Sequence, residues 1–204
     1  MKLDTVILSR IEALATPQRG IFTIHGLKNL FQVSDVSSLN QKLKPYRKAN
    51  ILLRFSRGYY VTKNCDLEAL SQRICPNSAI SFGNVLAKEL LIGAVPKKTV
   101  YATKAGKSRT YSSQPGHIVH LGFTGSQAGR LVSLGSHWEG GICYADKEKA
   151  FLDTLYFYQW GRKFSFNIYS DIHTSLLDKR KIKRYLRHYQ NPKFQKFVLG
   201  VLHG

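Results

Sequence analysis

Acidic residues are scarce in this chain. Its 204 residues include 12 Asp or Glu against 31 Lys or Arg, which gives a formal net charge of +19. Charge of one sign on this scale repels itself unless a polyanion or an anionic surface binds it, so the composition favours DNA, RNA or anionic lipid as a partner. The chain also lacks an apolar run long enough to span a membrane, and we expect no membrane partner.

Cysteine is rare as well. Cys65, Cys75 and Cys143 are odd in number and do not have the spacing of metal ligands. We therefore expect no disulfide framework, no metal site and a reducing, cytoplasmic location. The N-terminal apolar stretch is interrupted by Asp4 and Arg10, so we expect no signal peptide.

Nucleotide-binding motifs are missing too. The glycine-rich segment 122–130 lacks the lysine and the strand-to-helix setting of a P-loop, and we interpret it as a loop that binds no cofactor. His117 and His120 lie three residues apart. In a predicted strand this spacing places them on opposite faces, where they cannot easily share a metal ion.

A metal-dependent nuclease is the rival function that the acids suggest. Asp146, Glu148 and Asp153 accompany two lysines, but Glu148 and Lys149 are adjacent and the segment has helical spacing, unlike the strand-borne acid and lysine of such sites. We expect Asp146 and Lys149 to lie in the first turn of a helix, and Glu148 and Asp153 to make polar ties to a sheet. No catalytic residue is predicted.

The chain does contain the elements of a winged helix-turn-helix, in the usual order. Apolar residues at helical spacing predict a first helix that ends near Ala15, and Thr23 can cap a second helix that ends near Phe31. After a tight turn, Ser34 or Asp35 can cap a third helix.

The third predicted helix has one apolar face, formed by Val36, Leu39, Leu43 and Tyr46. Pro45 is expected to kink or shorten this helix, because its ring removes a backbone donor. The opposite face is polar, as a recognition helix requires in order to reach base edges.

Strands predicted over 51–55 and 59–62 form a hairpin, the wing of such a module. A wing carries cations that contact phosphate or the minor groove. The candidate DNA-binding residues of helix and wing are Ser34, Ser37, Ser38, Gln41, Lys44, Lys48, Arg54, Arg57 and Gly58. Residues 1–64 carry 11 Lys or Arg against three acids, so we expect double-stranded DNA as the partner.

The pattern changes near Cys65, and residues 65–204 predict a mixed α/β domain. Helices are predicted over 66–74, 85–91 and 147–160, and two more follow Leu177 with Pro192 between them. Strands are predicted over 78–82, 98–103, 108–113, 117–123, 130–136 and 140–144. The expected fold class is α+β, with a winged helix-turn-helix at 1–63 followed by this domain.

A second basic segment lies near the C-terminus. Residues 178–196 hold eight Lys or Arg and one acid, with aromatic residues between them, a pattern typical of nucleic-acid surfaces. The candidate residues are Lys179, Arg180, Lys183, Arg184 and Arg187. A solvated helix whose Ile182, Leu186 and Tyr189 face the core is the alternative, and both interpretations can hold on one helix.

The run 21–61 resembles the N-terminal domain of the AbiEi-type antitoxins, the transcriptional regulators of type IV toxin–antitoxin pairs. The match consists of a helix started by Thr23, a helix marked by Leu39 and Leu43, and an R-x-x-RG-x-Y wing that begins at Arg54. In the second half, 79–93 and 146–157 resemble the strand-then-helix opening of the family's C-terminal domain and its acid–Glu–Lys, Leu-Asp helix.

This resemblance implies a cytoplasmic antitoxin that represses its own operon, through an operator that we expect to be an inverted repeat. It also implies that the C-terminal domain counters a nucleotidyltransferase-like toxin, without requiring a stable complex with it. Pro45 and the basic C-terminus depart from the commonest members. Two alternatives stay open: a regulator of another operon with a C-terminal sensor or dimerisation domain, and an RNA-binding regulator.

Overall fold

A computed structural model describes residues 3–93 and 98–203 of the chain. Within these residues the chain is an α+β protein of nine α-helices and two sheets, which confirms the predicted class. It divides into two compact units. The first comprises residues 1–70 together with 111–117, and the second comprises 71–110 and 118–204. The domain boundary placed between residues 63 and 65 stays a prediction.

Helices and a small sheet make up the first unit. Its elements are α1 (Thr5–Ala15), β1 (Ile21–Thr23), α2 (Ile24–Phe31), α3 (Val36–Lys48), β2 (Leu53–Ser56) and β3 (Tyr59–Val61). The sheet is antiparallel in the order β1-β3-β2. Thr23 caps α2 as predicted, its hydroxyl accepting from the Gly26 N–H at 3.0 Å. Of the two candidate caps for α3, Asp35 is the one used, and it accepts from the Ser38 N–H at 2.8 Å.

One hydrophobic cluster in the core of the first unit contains residues from every one of these elements except β2. Its buried residues are Ile11, Phe22, Leu27, Phe31, Leu39, Leu43, Tyr46, Leu52 and Tyr60. The Tyr46 ring meets Phe31 edge-on at 5.3 Å, and its hydroxyl donates to the Asp4 carbonyl. The placement of Val36 in this core was wrong. Val36 is the first residue of α3, at the margin of the apolar face, and it is 44% exposed.

Pro45 does not shorten α3, contrary to one of the outcomes predicted for it. The helix continues to Lys48, because proline removes only its own N–H and its carbonyl still accepts from the Ala49 N–H at 2.9 Å. Asn50 ends the segment in the left-handed conformation, with φ of 55°, which asparagine adopts more readily than most residues.

The second unit contains the remaining helices and a six-stranded sheet. Its helices are α4 (Leu67–Ile74), α5 (Gly83–Lys88), α6 (Ala128–Ser133), α7 (Lys147–Gln159), α8 (Lys179–Leu186) and α9 (Pro192–His203). The strands are β4 (Ala79–Ile80), β5 (Thr99–Ala105), β6 (Arg109–Ser113), β7 (Gly116–Phe123), β8 (Ser136–Glu139) and β9 (Ile142–Ala145). The sheet order is β6-β7-β5-β4-β9-β8, in which β4 and β9 are parallel. The start of α4 and the turn between β6 and β7 belong to the first unit.

The strand predicted over 130–136 was wrong. This stretch contains the end of α6, and a separate strand, β8, begins at Ser136. Ala128, Leu131 and Val132 are the buried residues of α6, at the three- and four-residue spacing of a helix. A short apolar run of this kind does not distinguish a strand from one turn and a half of helix.

Aspartates begin many of the helices. Five of them accept hydrogen bonds from backbone N–H groups in a first helical turn: Asp4, Asp35, Asp66, Asp146 and Asp178. A carboxylate at this place satisfies N–H groups that lack helical partners and also meets the positive end of the helix dipole. None of the helices in the described ranges is both long and apolar enough to cross a membrane.

We predict that Gly122→Ala destabilises the second unit. A Cβ at this position in β7 would overlap the backbone carbonyl oxygen of Gly106. Gly106 cannot easily move away, because its N–H donates to the Phe123 carbonyl at 2.7 Å. Overpacking against backbone should lower the free energy of unfolding by at least about 1–3 kcal/mol. Urea unfolding followed by circular dichroism measures this.

Gly129→Ala is the matched control, because a Cβ on this exposed residue of α6 meets nothing within 4 Å. It should be neutral or stabilise the protein by up to about 1 kcal/mol. Equal destabilisation by the two variants would contradict the close approach of Gly122 to Gly106.

Candidate nucleic-acid interface

One stripe of α3 faces solvent along its whole length. Ser37, Gln41, Lys44 and Lys48 are exposed and follow one another at spacings of three and four residues, so they lie on one face. Leu39 and Leu43 are buried on the opposite side, and the polar face predicted for this helix is therefore present.

The two remaining serines at the start of α3 have different surroundings. Ser34 is exposed, and its carbonyl accepts from the Lys28 ammonium at 2.5 Å. Ser38 is half-buried and bonds to the capping carboxylate through its side chain and its N–H. These bonds lower the pKa of Asp35, which keeps its carboxylate charged. Ser38 is therefore engaged in the cap.

Three polar contacts hold α3 to its neighbours. The Tyr60 hydroxyl of β3 donates to the Asn40 amide oxygen at 3.2 Å, and the Lys42 ammonium donates to the Phe31 carbonyl at 3.0 Å. Tyr46 bonds to the backbone of Asp4. With Leu39 and Leu43 in the core, these contacts fix which side of the helix points outward.

The β2–β3 hairpin places its arginines in solvent. Leu53 and Phe55 are buried while Arg54 between them is exposed, and Arg57 is exposed at the turn. Gly58 has φ of 96°, a conformation that favours glycine. Its carbonyl accepts from the Ile24 N–H at 3.1 Å, which ties the turn to the start of α2.

A basic groove joins these two elements in the first unit. It is an open cavity of about 580 Å³ lined by Lys44, Arg47, Lys48, Leu53, Arg54, Ser113 and Gln114. Four of its lining residues are cations and none is an acid. Of the seven lining residues, sequence reasoning missed four: Arg47, Leu53, Ser113 and Gln114. Arg47 could have been found from its exposure on α3, but Ser113 and Gln114 lie too far along the chain for any local signal to place them here.

The second basic surface lies on α8, in the second unit. Lys179, Arg180, Lys183, Arg184 and Arg187 are all exposed. The prediction that Ile182, Leu186 and Tyr189 face the core is confirmed, since all three are buried. One lysine of the segment is not part of this surface, because Lys181 lies 3.0 Å from each of the carboxylates of Asp146 and Glu148.

Lys181 belongs to a polar cluster at the start of α7. Burial works against its charge, but Glu148 and Asp146 raise the pKa of Lys181. The Tyr185 hydroxyl donates to the Asp146 carboxylate at 2.6 Å, and burial together with this bond raises the pKa of Tyr185 to about 12. The expected tie of Glu148 to a sheet was wrong: it bonds to Lys181 and to the Asp178 N–H at the start of α8.

Lys149 and Asp153 form a fully buried ion pair inside the second unit. Asp153 also accepts from the Ser81 hydroxyl at 2.6 Å, next to β4, so its predicted tie to the sheet is present. The ammonium of Lys149, expected near the helix dipole, lies over the Phe123 ring at 4.9 Å and pairs with Asp153. Burial lowers the pKa of Lys149 and raises that of Asp153, so each charge depends on the other.

The two histidines of β7 have different environments. His117 is exposed and lies 2.9 Å from the Ser112 hydroxyl. His120 is buried, 2.8 Å from the Ser71 hydroxyl. Burial, with a smaller contribution from Lys104, lowers the pKa of His120 to about 4, which keeps this imidazole neutral.

Comparison with known proteins identifies a fold and no family. No family model matches the sequence, and no curated protein matches it. The chain is similar in structure to the RV2827C protein from Mycobacterium tuberculosis, known from a crystal structure, with a TM-score of 0.64. The two are 12% identical, and the match covers 98% of this chain and 78% of the other. At this identity the likeness shows a shared fold alone.

We predict that the bond between Tyr60 and Asn40 stabilises the position of α3. Tyr60→Phe removes the donor and Asn40→Ala removes the acceptor, and each should lower the free energy of unfolding by about 0.5–1.5 kcal/mol. Urea unfolding of both single variants and the double variant measures the coupling. Because the two changes remove the same bond, the double variant should lose less free energy of unfolding than the two single variants lose together. Strict additivity would mean that the bond contributes nothing.

Proposed function

We propose that the first unit is a winged helix-turn-helix that binds double-stranded DNA, with α3 as the recognition helix and the β2–β3 hairpin as the wing. The order of the elements supports this, since two helices are joined by a short turn and followed by a hairpin. The sheet order β1-β3-β2 supports it too, because β1 pairs with the hairpin and holds it beside the helices.

One observation carries the proposal: the exposed stripe of α3 lies beside an acid-free groove lined by cations from α3 and β2. An α-helix fits the major groove of DNA, where glutamine can pair with adenine and lysine with guanine. Gln41 and Ser37 are the residues of the stripe that read base edges. Lys44, Lys48 and Arg54 neutralise phosphates.

We further propose that the protein is a cytoplasmic antitoxin that represses its own operon and counters a nucleotidyltransferase-like toxin. Support for this comes from the resemblance of segments 21–61, 79–93 and 146–157 to the AbiEi-type antitoxins. In this proposal the first unit binds an operator with inverted-repeat symmetry, and the second unit carries the activity against the toxin.

The α8 surface adds contacts to nucleic acid in this proposal. Its five exposed cations lie on a helix that shows its opposite side to the core, so the charge is free to meet a phosphate backbone. Contacts of this kind add affinity without sequence preference, and salt weakens them.

A salt titration separates the roles of wing and recognition helix. Each neutralised phosphate adds about 0.9 to the slope of log affinity against log salt concentration, so Arg54→Ala with Arg57→Ala should flatten this slope by roughly 2. This double variant should bind the operator duplex and a random-sequence duplex more weakly, by about the same factor. Fluorescence anisotropy at several salt concentrations measures both effects. Arg109→Ala with Arg130→Ala is the matched control, since both arginines are exposed residues of the second unit.

Gln41→Ala should behave differently in the same titration. It should weaken operator binding by about 1–3 kcal/mol and random DNA little, leaving the slope unchanged, because base contacts carry discrimination. The assignment of the wing would be wrong if the double arginine variant lost affinity for the operator alone. The assignment of the recognition face would be wrong if Gln41→Ala weakened binding to both duplexes equally.

The antitoxin proposal is tested in cells with the full-length chain supplied from an independent promoter. Lys44→Glu with Arg54→Glu should abolish repression of a reporter driven by the chain's own promoter, because both changes place anions against phosphate. Relief of the growth arrest caused by the toxin encoded in the same operon should persist. The wild-type chain is the positive control, and it should give both effects.

Loss of rescue in this variant, at unchanged protein level, would mean that neutralisation acts through DNA binding. Failure of the wild-type chain to relieve the arrest would instead favour a regulator that is not an antitoxin. A neighbouring gene that encodes no nucleotidyltransferase-like protein would point the same way.

A further inference from the structure

The turn between β6 and β7 supplies residues to the first unit from far along the chain. Residues 111–117 belong to this unit. The Ser113 hydroxyl donates to the Arg54 carbonyl at 3.1 Å, across 59 residues of sequence. The turn is braced internally as well, since His117 Nδ1 lies 2.9 Å from the Ser112 hydroxyl.

Gln114, the first residue after β6, is exposed and lines the basic groove. The cations that share the groove come from the C-terminal half of α3 and from β2: Lys44, Arg47, Lys48 and Arg54. The side-chain amide of Gln114 carries two N–H donors, and they are accessible because the residue is exposed. No acid lines the groove, so a bound anion would meet donors and cations only.

We propose that Gln114 is a third DNA contact, in which the turn 111–117 places an amide donor on one phosphate of the backbone beside α3 and the wing. This inference rests on the proposed function of the first unit. In helix-turn-helix complexes the N-terminal residues of the recognition helix contact base edges. Gln114 lies by the C-terminal half of α3, and its contact is therefore to the backbone and independent of base sequence.

Ser113 has a positioning role in this contact. Its bond to the Arg54 carbonyl fixes the turn against β2, one residue before the amide that meets the phosphate. The strand that presents an arginine to DNA thus also holds the turn that presents Gln114.

The test uses full-length protein carrying Gln114→Glu. A carboxylate in the groove repels phosphate, so binding to a short random-sequence duplex and to the promoter duplex should weaken by about tenfold each at low salt, and the salt slope should fall by about 0.9. Gln159→Glu is the matched control. It makes the same change of charge on an exposed residue at the end of α7, outside the groove, and should leave both affinities within about twofold.

A photocrosslinker gives a second readout, which reports that position 114 lies close to the bound DNA. Benzoylphenylalanine at position 114 should crosslink to duplex DNA on irradiation, and the same group at position 159 should not. Urea unfolding of each variant, with midpoints equal to that of wild type, confirms that the turn is folded.

The outcomes distinguish this inference from the proposed function. If Gln114→Glu binds like Gln159→Glu while Arg54→Ala with Arg57→Ala still weakens binding, the third contact is wrong and the winged-helix proposal stands. If neither change weakens binding, both fail. Crosslinking at position 114 to single-stranded RNA, with none to duplex DNA, would also overturn the inference and favour the RNA-binding alternative.

Discussion

Most of the few acidic side chains of this protein bind its own backbone or its own cations, which leaves a large excess of Lys and Arg. All seven aspartates accept specific hydrogen bonds: Asp4, Asp35, Asp66, Asp146, Asp153, Asp171 and Asp178. Asp66 and Glu139 pair with the exposed cations Arg19 and Lys88, but 12 acids cannot pair with 31 Lys or Arg. The surplus of Lys and Arg, 31 against 12 acids, is therefore left outside.

Single helices also contain both kinds of cation, those that pair with an acid and those that face solvent. On α8, Lys181 is held by Asp146 and Glu148, while the cations on the other side of the helix face solvent. On α7, Lys149 is paired with Asp153 away from water. Breaking such a pair leaves an uncompensated buried charge, which costs far more than an exposed ion pair gains. These ion pairs therefore stabilise the second unit and add nothing to its exposed charge.

Sequence reasoning placed the elements that local chemistry specifies. The cap of α2 at Thr23 follows from neighbouring residues alone, and it is present. The misses have different physical causes. Helix α6 is so short that its apolar residues also fit a strand, and exposed Val36 lies at the margin of an apolar face, where periodicity decides little. From the sequence of α3 and β2, three of the seven groove residues could be named: Lys44, Lys48 and Arg54. Gln114 could not, because only tertiary contacts bring the turn 111–117 to the groove.

The bond between Ser113 and Arg54 also sets a time for completion of the first unit during translation. The partners are 59 residues apart. At a synthesis rate of about 5–20 residues per second, the ribosome reaches Ser113 roughly 3–12 s after Arg54. Through most of that interval the nascent chain contains α3 and the hairpin but lacks Ser113 and Gln114, which line the basic groove. A product that terminates before residue 113 would keep α3 and the hairpin but would lack the Ser113 bond to Arg54.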